Sequence, residues 1–299
     1  MKPTFGGIPK VSVGLPVFNG EKYLTEALDS LLNQEYKNFE LVVFDNASED
    51  ATGDICRKYI EKFKGRMSYF RHASNLGVMA NFRYAFEAAR GEYFMWAACD
   101  DLWDERWLQK MVLLIESSNA DIAFGRITHI DSSGRSIWQP ANNASFCYTG
   151  ATLFRRLRFF LDYEGLGKAN IIYGLFARRL FPTVSAALRD LELGKMRYDY
   201  SFVFCLLKEG VVVRDNSVVM KKRYRLDSSG EEMGRRMIPE HYVKKIMRRV
   251  LNPFPERLLS EYLNCCLPLE RVLFVIFLPL KFLIAYRALL QSIMCTQKQ

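Results

Sequence analysis

Short apolar runs alternate with amphipathic stretches along the first third of the chain. The runs, which are typical of strands buried on both faces of a sheet, are Val11–Leu15, Glu40–Asp45, Met67–Arg71 and Tyr93–Ala98. Between the first two runs, apolar residues recur at the spacing of one helix face, namely Leu24, Ala27, Leu28, Leu31 and Leu32. This alternation predicts an α/β fold with a mostly parallel, right-handed, Rossmann-like sheet flanked by helices.

Two of these predicted strands end in carboxylates. The second strand ends at Asp45, and the fourth is followed by Asp100 and Asp101. Because the carboxyl ends of parallel strands share the edge at which α/β sheets bind ligands, we expect a site there. Carboxylates suit Mg²⁺ or Mn²⁺, which in turn can hold a diphosphate. In the alternative interpretation, the two acids cap a helix that starts in the acidic stretch 102–105 and ends near Glu116.

The composition narrows the class of protein. With 299 residues, of which 49% are hydrophobic, the chain can form one large domain, alone or with an appendage. The seven scattered cysteines show no Cys-x-x-Cys spacing, which predicts reduced thiols in a cytoplasmic protein rather than disulfides or a zinc site. No apolar signal sequence is visible at the N-terminus. Neither a dinucleotide-binding glycine motif nor a Walker-type phosphate loop follows the first strand, which argues against both of those classes.

The charge differs between the two halves of the chain. Residues 1–150 carry 16 Lys and Arg against 19 Asp and Glu, a net charge of −3, whereas residues 151–299 carry 26 against 14, a net charge of +12. A basic half could face nucleic acid, an anionic membrane or an anionic substrate, and composition leaves all three open.

Four stretches together carry a specific resemblance. They are VSVGLPVFNGEKYLTEALDSLLNQ, ELVVFDNASEDAT, NLG followed by Asn81, and GEYFMWAACDD. In order and spacing they resemble the family 2 glycosyltransferases of the GT-A fold, over residues 10–110. The resemblance implies an inverting transferase that moves a sugar from a nucleoside-diphosphate donor of the UDP type to an acceptor hydroxyl.

The resemblance also implies site residues. Those that would bind the nucleotide sugar are Pro16, Phe18, Asn19, Glu21, Asp45, Asn46, Ser48, Asn81, Asp100 and Arg225. Asp100 would hold a divalent cation, Mg²⁺ or Mn²⁺, with Asp101 in support. The chain departs from the family twice, because Asp-Asp-Gly-Ser reads Asp-Asn-Ala-Ser at 45–48, and Ala98 replaces the first carboxylate of Asp-x-Asp. Mg²⁺ commonly uses one or two carboxylates plus substrate phosphates, so the second departure is compatible with metal binding.

Asp199 is the candidate catalytic base. It precedes a stretch in which Phe202, Cys205 and Leu206 lie on one helical face, and the family places an acid at this point as the base. The alternative interpretation is that Asp199 only caps this helix. Further along, a basic run spans residues 221–225, and its first three residues fit a solvated surface equally well.

The resemblance predicts a glycosyltransferase domain at 1–230, made of a nucleotide-sugar half (1–115) and an acceptor and catalytic half (116–230). We expect residues 231–299 to form a basic and apolar helical extension. Its segment 266–294 is apolar but interrupted by charges and by Pro279, and a spanning helix needs ~20 apolar residues. We therefore expect either a helix lying on the inner membrane surface or one packed on the domain.

The acceptor expected from the resemblance is a glycan or a lipid-linked glycan, as in polysaccharide, lipopolysaccharide or glycolipid assembly, with no nucleic acid partner. Two other functions remain open at this point. A nucleotidyltransferase also uses carboxylates and a divalent ion on an α/β sheet, but residues 16–19 do not form the phosphate loop that it needs. A non-catalytic relative, with its metal motif decayed at Ala98, would bind polyanions or membranes.

Overall fold

One mixed sheet organises the part of the chain that the computed structural model describes, residues 7–139, 141–142, 144–196, 199–224 and 258–296. Its strands are β1 (Val11–Val17), β2 (Phe39–Asp45), β3 (Met67–Arg71), β4 (Tyr93–Trp96), β5 (Leu102–Trp103), β6 (Ile122–Ile130), β7 (Ser136–Ile137), β8 (Leu175–Ala177) and β9 (Val212–Arg223). They lie in the order β3-β2-β1-β4-β8-β6-β9-β5, and β7 pairs with β6.

The strands β3, β2, β1 and β4 run parallel, so the carboxyl ends of β1, β2 and β4 lie on one edge of the sheet. All four strands were predicted from their apolar runs. β1 continues through Pro16 to Val17, beyond the predicted end at Leu15. The pairing between β1 and β4 ends at Gly14 of β1. Pro16, which has no N–H to donate, lies beyond this pairing and therefore interrupts no hydrogen bond to β4.

The second half of the sheet is built differently. β8 runs antiparallel to both β4 and β6, while β6 and β9 are parallel to each other. β5 then pairs antiparallel with β9 at the far edge. The predicted α/β architecture, mostly parallel with flanking helices, is confirmed, and the antiparallel pairs lie in the half that follows the parallel unit.

The helices are α1 (Glu21–Leu32), α2 (Thr52–Lys62), α3 (Val78–Glu87), α4 (Trp107–Ser118), α5 (Thr152–Leu161), α6 (Phe181–Glu192), α7 (Asp199–Leu206), α8 (Leu258–Asn264) and α9 (Pro268–Thr296). Short 3-10 helices span Glu164–Leu166, Lys168–Tyr173 and Arg178–Leu180. The predicted apolar face of α1 is buried at Leu24, Ala27, Leu28 and Leu31. α3 packs on β1, β2 and β4, and α6 packs on both α3 and α7.

The helix predicted after the fourth strand begins later than expected. Leu102 and Trp103 form β5, and α4 starts only at Trp107. The interpretation of Asp100 and Asp101 as caps of this helix is therefore wrong, because β5 separates them from it. β5 exists because its backbone pairs with the distant β9, a contact that local sequence does not reveal.

The C-terminal helices pack onto the sheet domain through buried charges. Lys281 of α9 is fully buried and its Nζ donates to Glu164 Oε1 (2.8 Å), as does the buried Lys168 (3.1 Å). Arg156 of α5 pairs with Glu270 of α9 at 2.8 Å, and both side chains are buried. Because α8 and α9 share one apolar core with the sheet domain, the described part of the predicted extension is integral to the fold.

The opposite face of α9 is apolar and exposed. Its large exposed residues recur at helical spacing and are Leu269, Val272, Val275, Ile276, Leu280, Phe282, Leu283 and Tyr286. Arg271 and Arg287 are also exposed on this helix. Within the described ranges, no helix combines the length and the hydropathy needed to cross a membrane.

Candidate active site

Hydrogen bonds join the loop after β1 to the loop after β2. The N–H of Asn19 donates to Ser48 Oγ (2.9 Å), and Asn19 Oδ1 accepts from the N–H of Glu49 (2.9 Å). Glu21 Oε2 accepts from the N–H of Ala51 (2.9 Å). Three of the residues predicted to bind the nucleotide sugar, Asn19, Glu21 and Ser48, therefore lie together at the carboxyl edge of the sheet.

Asp45 and Asn46 lie beneath this surface as buried supports. Asp45 is fully buried, and its carboxylate accepts from the N–H of Ser48 (2.8 Å) and from the hydroxyl of Tyr69 (2.6 Å). Asn46 is 2% exposed and its amide donates to Asn75 Oδ1 (2.7 Å). These contacts fix the shape of the loops, and in this arrangement both Asp45 oxygens already carry protein hydrogen bonds.

Asn81 and Phe18 lie at the same edge but at different depths. Asn81 of α3 is 3% exposed, and its amide donates to the carbonyls of Phe44 (3.0 Å) and Val17 (3.4 Å). Asn81 thus ties the ends of β1 and β2 together. Phe18 is 46% exposed, which leaves its ring available to a ligand such as a nucleobase.

Ala47 occupies a conformation that favours glycine, with φ at 63°. The family of the resemblance has glycine at this position, so we expect Ala47→Gly to relieve strain. Relief of ~1–2 kcal/mol from the left-handed region outweighs a glycine entropy cost of ~0.5–1 kcal/mol, so the melting temperature should rise slightly. Ala186, an exposed residue inside α6, provides the control, because glycine within a helix should only destabilise. A melting temperature that falls in Ala47→Gly as much as in Ala186→Gly would show that Ala47 is not strained.

Arg223 of β9 clamps the Asp100–Asp101 pair. Its N–H donates to Asp101 Oδ1 (2.8 Å) and its Nε to the carbonyl of Asp100 (3.1 Å). The guanidinium also pairs with Glu26 Oε2 (2.8 Å) and lies 4.3 Å from the ring centroid of Tyr23. Arg223 is 4% exposed, so it is a buried structural cation and not the solvated surface residue that the basic run equally allowed.

The two adjacent acids have different environments. Asp101 is 2% exposed, and burial together with the charge of Asp100 raises the pKa of its carboxyl to about 7. Asp100 is partly exposed and lines a pocket. The pair is thus divided into one buried supporting carboxyl and one that faces the space where a ligand can bind.

A pocket of about 370 Å³ lies at the carboxyl edge of the sheet. The residues that line it come from β1, α3, the segment after β4, the Lys168–Tyr173 helix, α6 and α7: Pro16, Val78, Met79, Phe82, Ala98, Cys99, Asp100, Ile172, Tyr173, Leu188, Leu191 and Asp199. Three residues predicted from sequence, Pro16, Asp100 and Asp199, thus line one cavity although 183 positions of chain separate the first from the last.

Asp199 is the first residue of α7, a helix of eight residues. Neighbouring protein atoms raise the pKa of its carboxyl by burial, and the positive charge of Lys222 opposes this shift. The residue is also open to solvent, so the effect of burial is partial. A carboxyl with a raised pKa at the wall of a pocket is suited to accept a proton from a bound hydroxyl.

Tyr173 lines the pocket, and Lys222 lies next to Tyr173. Lys222 Nζ donates to Asn170 Oδ1 (2.5 Å) and lies 5.2 Å from the centroid of the Tyr173 ring. Burial, together with the charges of Asp101, Asp199 and Asp100, raises the pKa of Tyr173 well above its usual value, so its hydroxyl stays protonated. Neither residue was identified from sequence. For Lys222, the basic run did not indicate which of its cations would lie near the pocket.

A divalent cation has a minimal set of ligands here. Across the described ranges, no three or more His, Cys, Asp and Glu side chains cluster in a way that could hold a metal ion. Asp100 offers an oxygen donor that faces the pocket, and Mg²⁺ sites of one carboxylate plus substrate phosphates are common. The residues therefore fit a cation that is held jointly by Asp100 and a bound diphosphate. Arg225, the remaining predicted site residue, lies outside the described residues.

The chain is similar to known glycosyltransferases in sequence and in fold. An uncharacterised glycosyltransferase of Rickettsia typhi is 30% identical over 222 residues, which cover 72% of this chain but only 64% of that protein. S. aureus TarS in complex with UDP-GlcNAc has a TM-score of 0.56 at 18% identity, covering 96% of this chain and 92% of that one. GalNAc-T7 with UDP, GalNAc and Mn²⁺ also scores 0.56, at 14% identity, covering 82% and 48%. Residues 12–181 match the model of Glycosyl transferase family 2, and the chain belongs to that family.

Proposed function

We propose that this chain is an inverting glycosyltransferase that uses a UDP-type sugar donor. The observation that carries the proposal is the shared pocket of Asp100 and Asp199. A transferase needs a group near the leaving diphosphate and a base near the acceptor, and these two carboxylates stand on different elements of one cavity. The family of the chain and the UDP-bound state of its structural neighbours support this assignment.

In the proposed reaction, Asp199 accepts the proton of an acceptor hydroxyl as that oxygen attacks the anomeric carbon of the donor. The bond between the anomeric carbon and the diphosphate oxygen breaks, and the configuration at that carbon inverts. Phe18, Asn19, Glu21 and Ser48 would form the nucleotide side of the site. Asp45, Asn46 and Asn81 would contribute to donor binding indirectly, by fixing the loops that carry these residues.

Asp100 would hold Mg²⁺ or Mn²⁺, with Asp101 and Arg223 keeping the Asp100 backbone in place. When bound, the ion would supply positive charge that stabilises the departing diphosphate. Arg225, by resemblance, would face the same diphosphate. Two observations support a transferase over a nucleotidyltransferase: Asp199 lines the same pocket as Asp100, and no phosphate-loop motif follows β1 in the sequence.

Asp100→Asn is expected to abolish the Mn²⁺-dependent part of UDP binding. UDP at about 100 times its Kd should stabilise the native protein by about 2.7 kcal/mol, and the variant should lose the share that needs Mn²⁺. Thermal denaturation with UDP, with and without Mn²⁺, measures this effect. Asp54→Asn, which removes an exposed acid of α2, is the matched control. An unchanged Mn²⁺ dependence in Asp100→Asn would rule out the metal assignment.

We further propose a cytoplasmic protein bound peripherally to the inner membrane surface through α9, acting on a glycan or lipid-linked acceptor. The exposed apolar face of α9 and the exposed Arg271 and Arg287 match the apolar and anionic layers of a bilayer surface. The net charge of +12 over residues 151–299 favours an anionic leaflet in the same way.

Replacing Ile276 and Leu283 with Asp should weaken binding to phosphatidylglycerol vesicles by at least roughly tenfold, because two apolar side chains no longer enter the bilayer. Co-sedimentation with vesicles measures this, and Leu113→Asp with Leu193→Asp is the control, since those leucines are equally exposed elsewhere. Vesicle binding that survives the α9 changes would contradict the proposal. A dimer that dissociates on the same substitutions would instead make this face a contact between two copies.

A further inference from the structure

The pocket that Asp100 and Asp199 line is mostly apolar, a property that the proposed reaction does not require. In any direct transfer, the sugar lies between its leaving phosphate and the attacking oxygen. If Asp100 serves the phosphate and Asp199 the acceptor, the pocket that both residues line is the site of the donor sugar. This assignment rests on the proposed function. If it is correct, the side chains that line the pocket indicate which kind of sugar the donor carries.

The wall of the sugar site is mostly apolar. α3 contributes Val78, Met79 and Phe82, α6 contributes Leu188 and Leu191, and Ile172 and Ala98 complete the surface. Leu188 and Leu191 are 1% and 7% exposed, so they are held in place by packing. The polar side chains that line the same cavity are Asp100, Asp199, Tyr173 and Cys99.

The two helices that form this wall are fixed relative to each other. Arg83 of α3 donates from Nε to Glu192 of α6 (2.8 Å) and also pairs with Glu87 (3.0 Å). On the buried side, Phe181 of α6 packs edge-to-face against Phe86 of α3, with the ring centroids 5.0 Å apart. The wall is therefore a preformed surface whose apolar character belongs to the folded protein.

A sugar such as glucose, whose hydroxyls on C2, C3, C4 and C6 are all free, suits this wall poorly. Hydroxyls turned toward Val78, Met79 or Leu188 would lose hydrogen bonds to water without gaining partners. A methyl group in the same place is favoured by contact with the apolar side chains. We propose that the donor sugar carries a methyl group that contacts the α3–α6 wall, either in an acetamido substituent or at a 6-deoxy carbon.

The experiment compares donors that share one nucleotide. Calorimetry with Mn²⁺ present measures the Kd of UDP, UDP-glucose, UDP-N-acetylglucosamine and UDP-6-deoxyglucose. We expect the acetamido or the deoxy donor to bind roughly tenfold or more tightly than UDP-glucose, the effect of one methyl group in an apolar pocket. The arm that shows the preference identifies the source of the methyl group.

Val78→Thr tests the wall directly, because it replaces a methyl by a hydroxyl at nearly constant volume on a residue that is 63% exposed. It should reduce the preference, whereas Val275→Thr, at an equally exposed valine of α9, should leave it unchanged. Tight binding of UDP with equal affinity for all three donors would overturn this inference and leave the proposed function standing. Failure of UDP itself to bind would overturn both.

Discussion

Asp199→Asn is expected to lower turnover by about 10²–10⁴-fold while leaving donor affinity nearly unchanged. The asparagine amide has the shape of the carboxylate but cannot accept the acceptor proton. Because that interaction is made only in the transition state, kcat and kcat/KM should fall together. Steady-state kinetics with the correct donor and acceptor, together with the Kd of UDP, measure the two quantities separately.

The pH dependence of the unsubstituted enzyme gives a second readout. Burial raises the pKa of Asp199, so the base is lost by protonation as the pH falls through that raised value. Activity should therefore be full above that pKa and should decline as the pH falls below it.

The control for Asp199→Asn is Asp190→Asn, which breaks only an exposed pair with Lys195 at the end of α6. Its turnover should match that of the wild type. Near-normal turnover of Asp199→Asn would leave Asp199 with a structural role only.

Glu164→Gln is expected to destabilise the fold by about 3–5 kcal/mol, because it leaves buried positive charge without its counter-ion. Glu164 is 4% exposed and serves two buried ammonium groups, those of Lys168 and Lys281. Burial and the nearby Lys168 already lower the pKa of Lys281 to about 7. Without Glu164 that pKa should fall further, and deprotonation of Lys281 limits the loss of stability. Urea denaturation measures the free energy of unfolding.

The control for Glu164→Gln is Glu87→Gln. Glu87 pairs with Arg83 at 3.0 Å on the surface of α3, an exposed contact that contributes at most about 1 kcal/mol. A double variant, Glu164→Gln with Lys281→Gln, should recover part of the loss, because one unpaired charge is removed. If Glu164→Gln and Glu87→Gln cost the same, the buried charges do not hold α9 to the domain.

The parallel half of the sheet could be predicted from sequence because its signals are local. Apolar runs ending at Asp45 and Asp100 gave the strands and the edge at which the site lies. The second half gave weaker signals. β8 has three residues, and it is placed between β4 and β6 by pairing with distant strands rather than by any periodicity of its own.

In the candidate site, too, sequence did not reveal residues whose roles depend on distant partners. Asp199 was singled out because the family of the resemblance places an acid before this apolar helix. Arg223 was not, because it lies in a basic run in which Lys221 is exposed and Arg223 is buried. Its role depends on Asp101 and Glu26, which are far away in sequence and meet it only when β9 pairs beside β5.

The hydrogen bonds that join the loops after β1 and β2 have a kinetic consequence. Asn19, Ser48, Glu49, Glu21 and Ala51 hold each other in the unliganded protein. A donor that meets these loops therefore spends little of its binding free energy on ordering them. We expect donor association to follow a single exponential whose rate rises linearly with donor concentration, because no slow rearrangement of these loops accompanies binding.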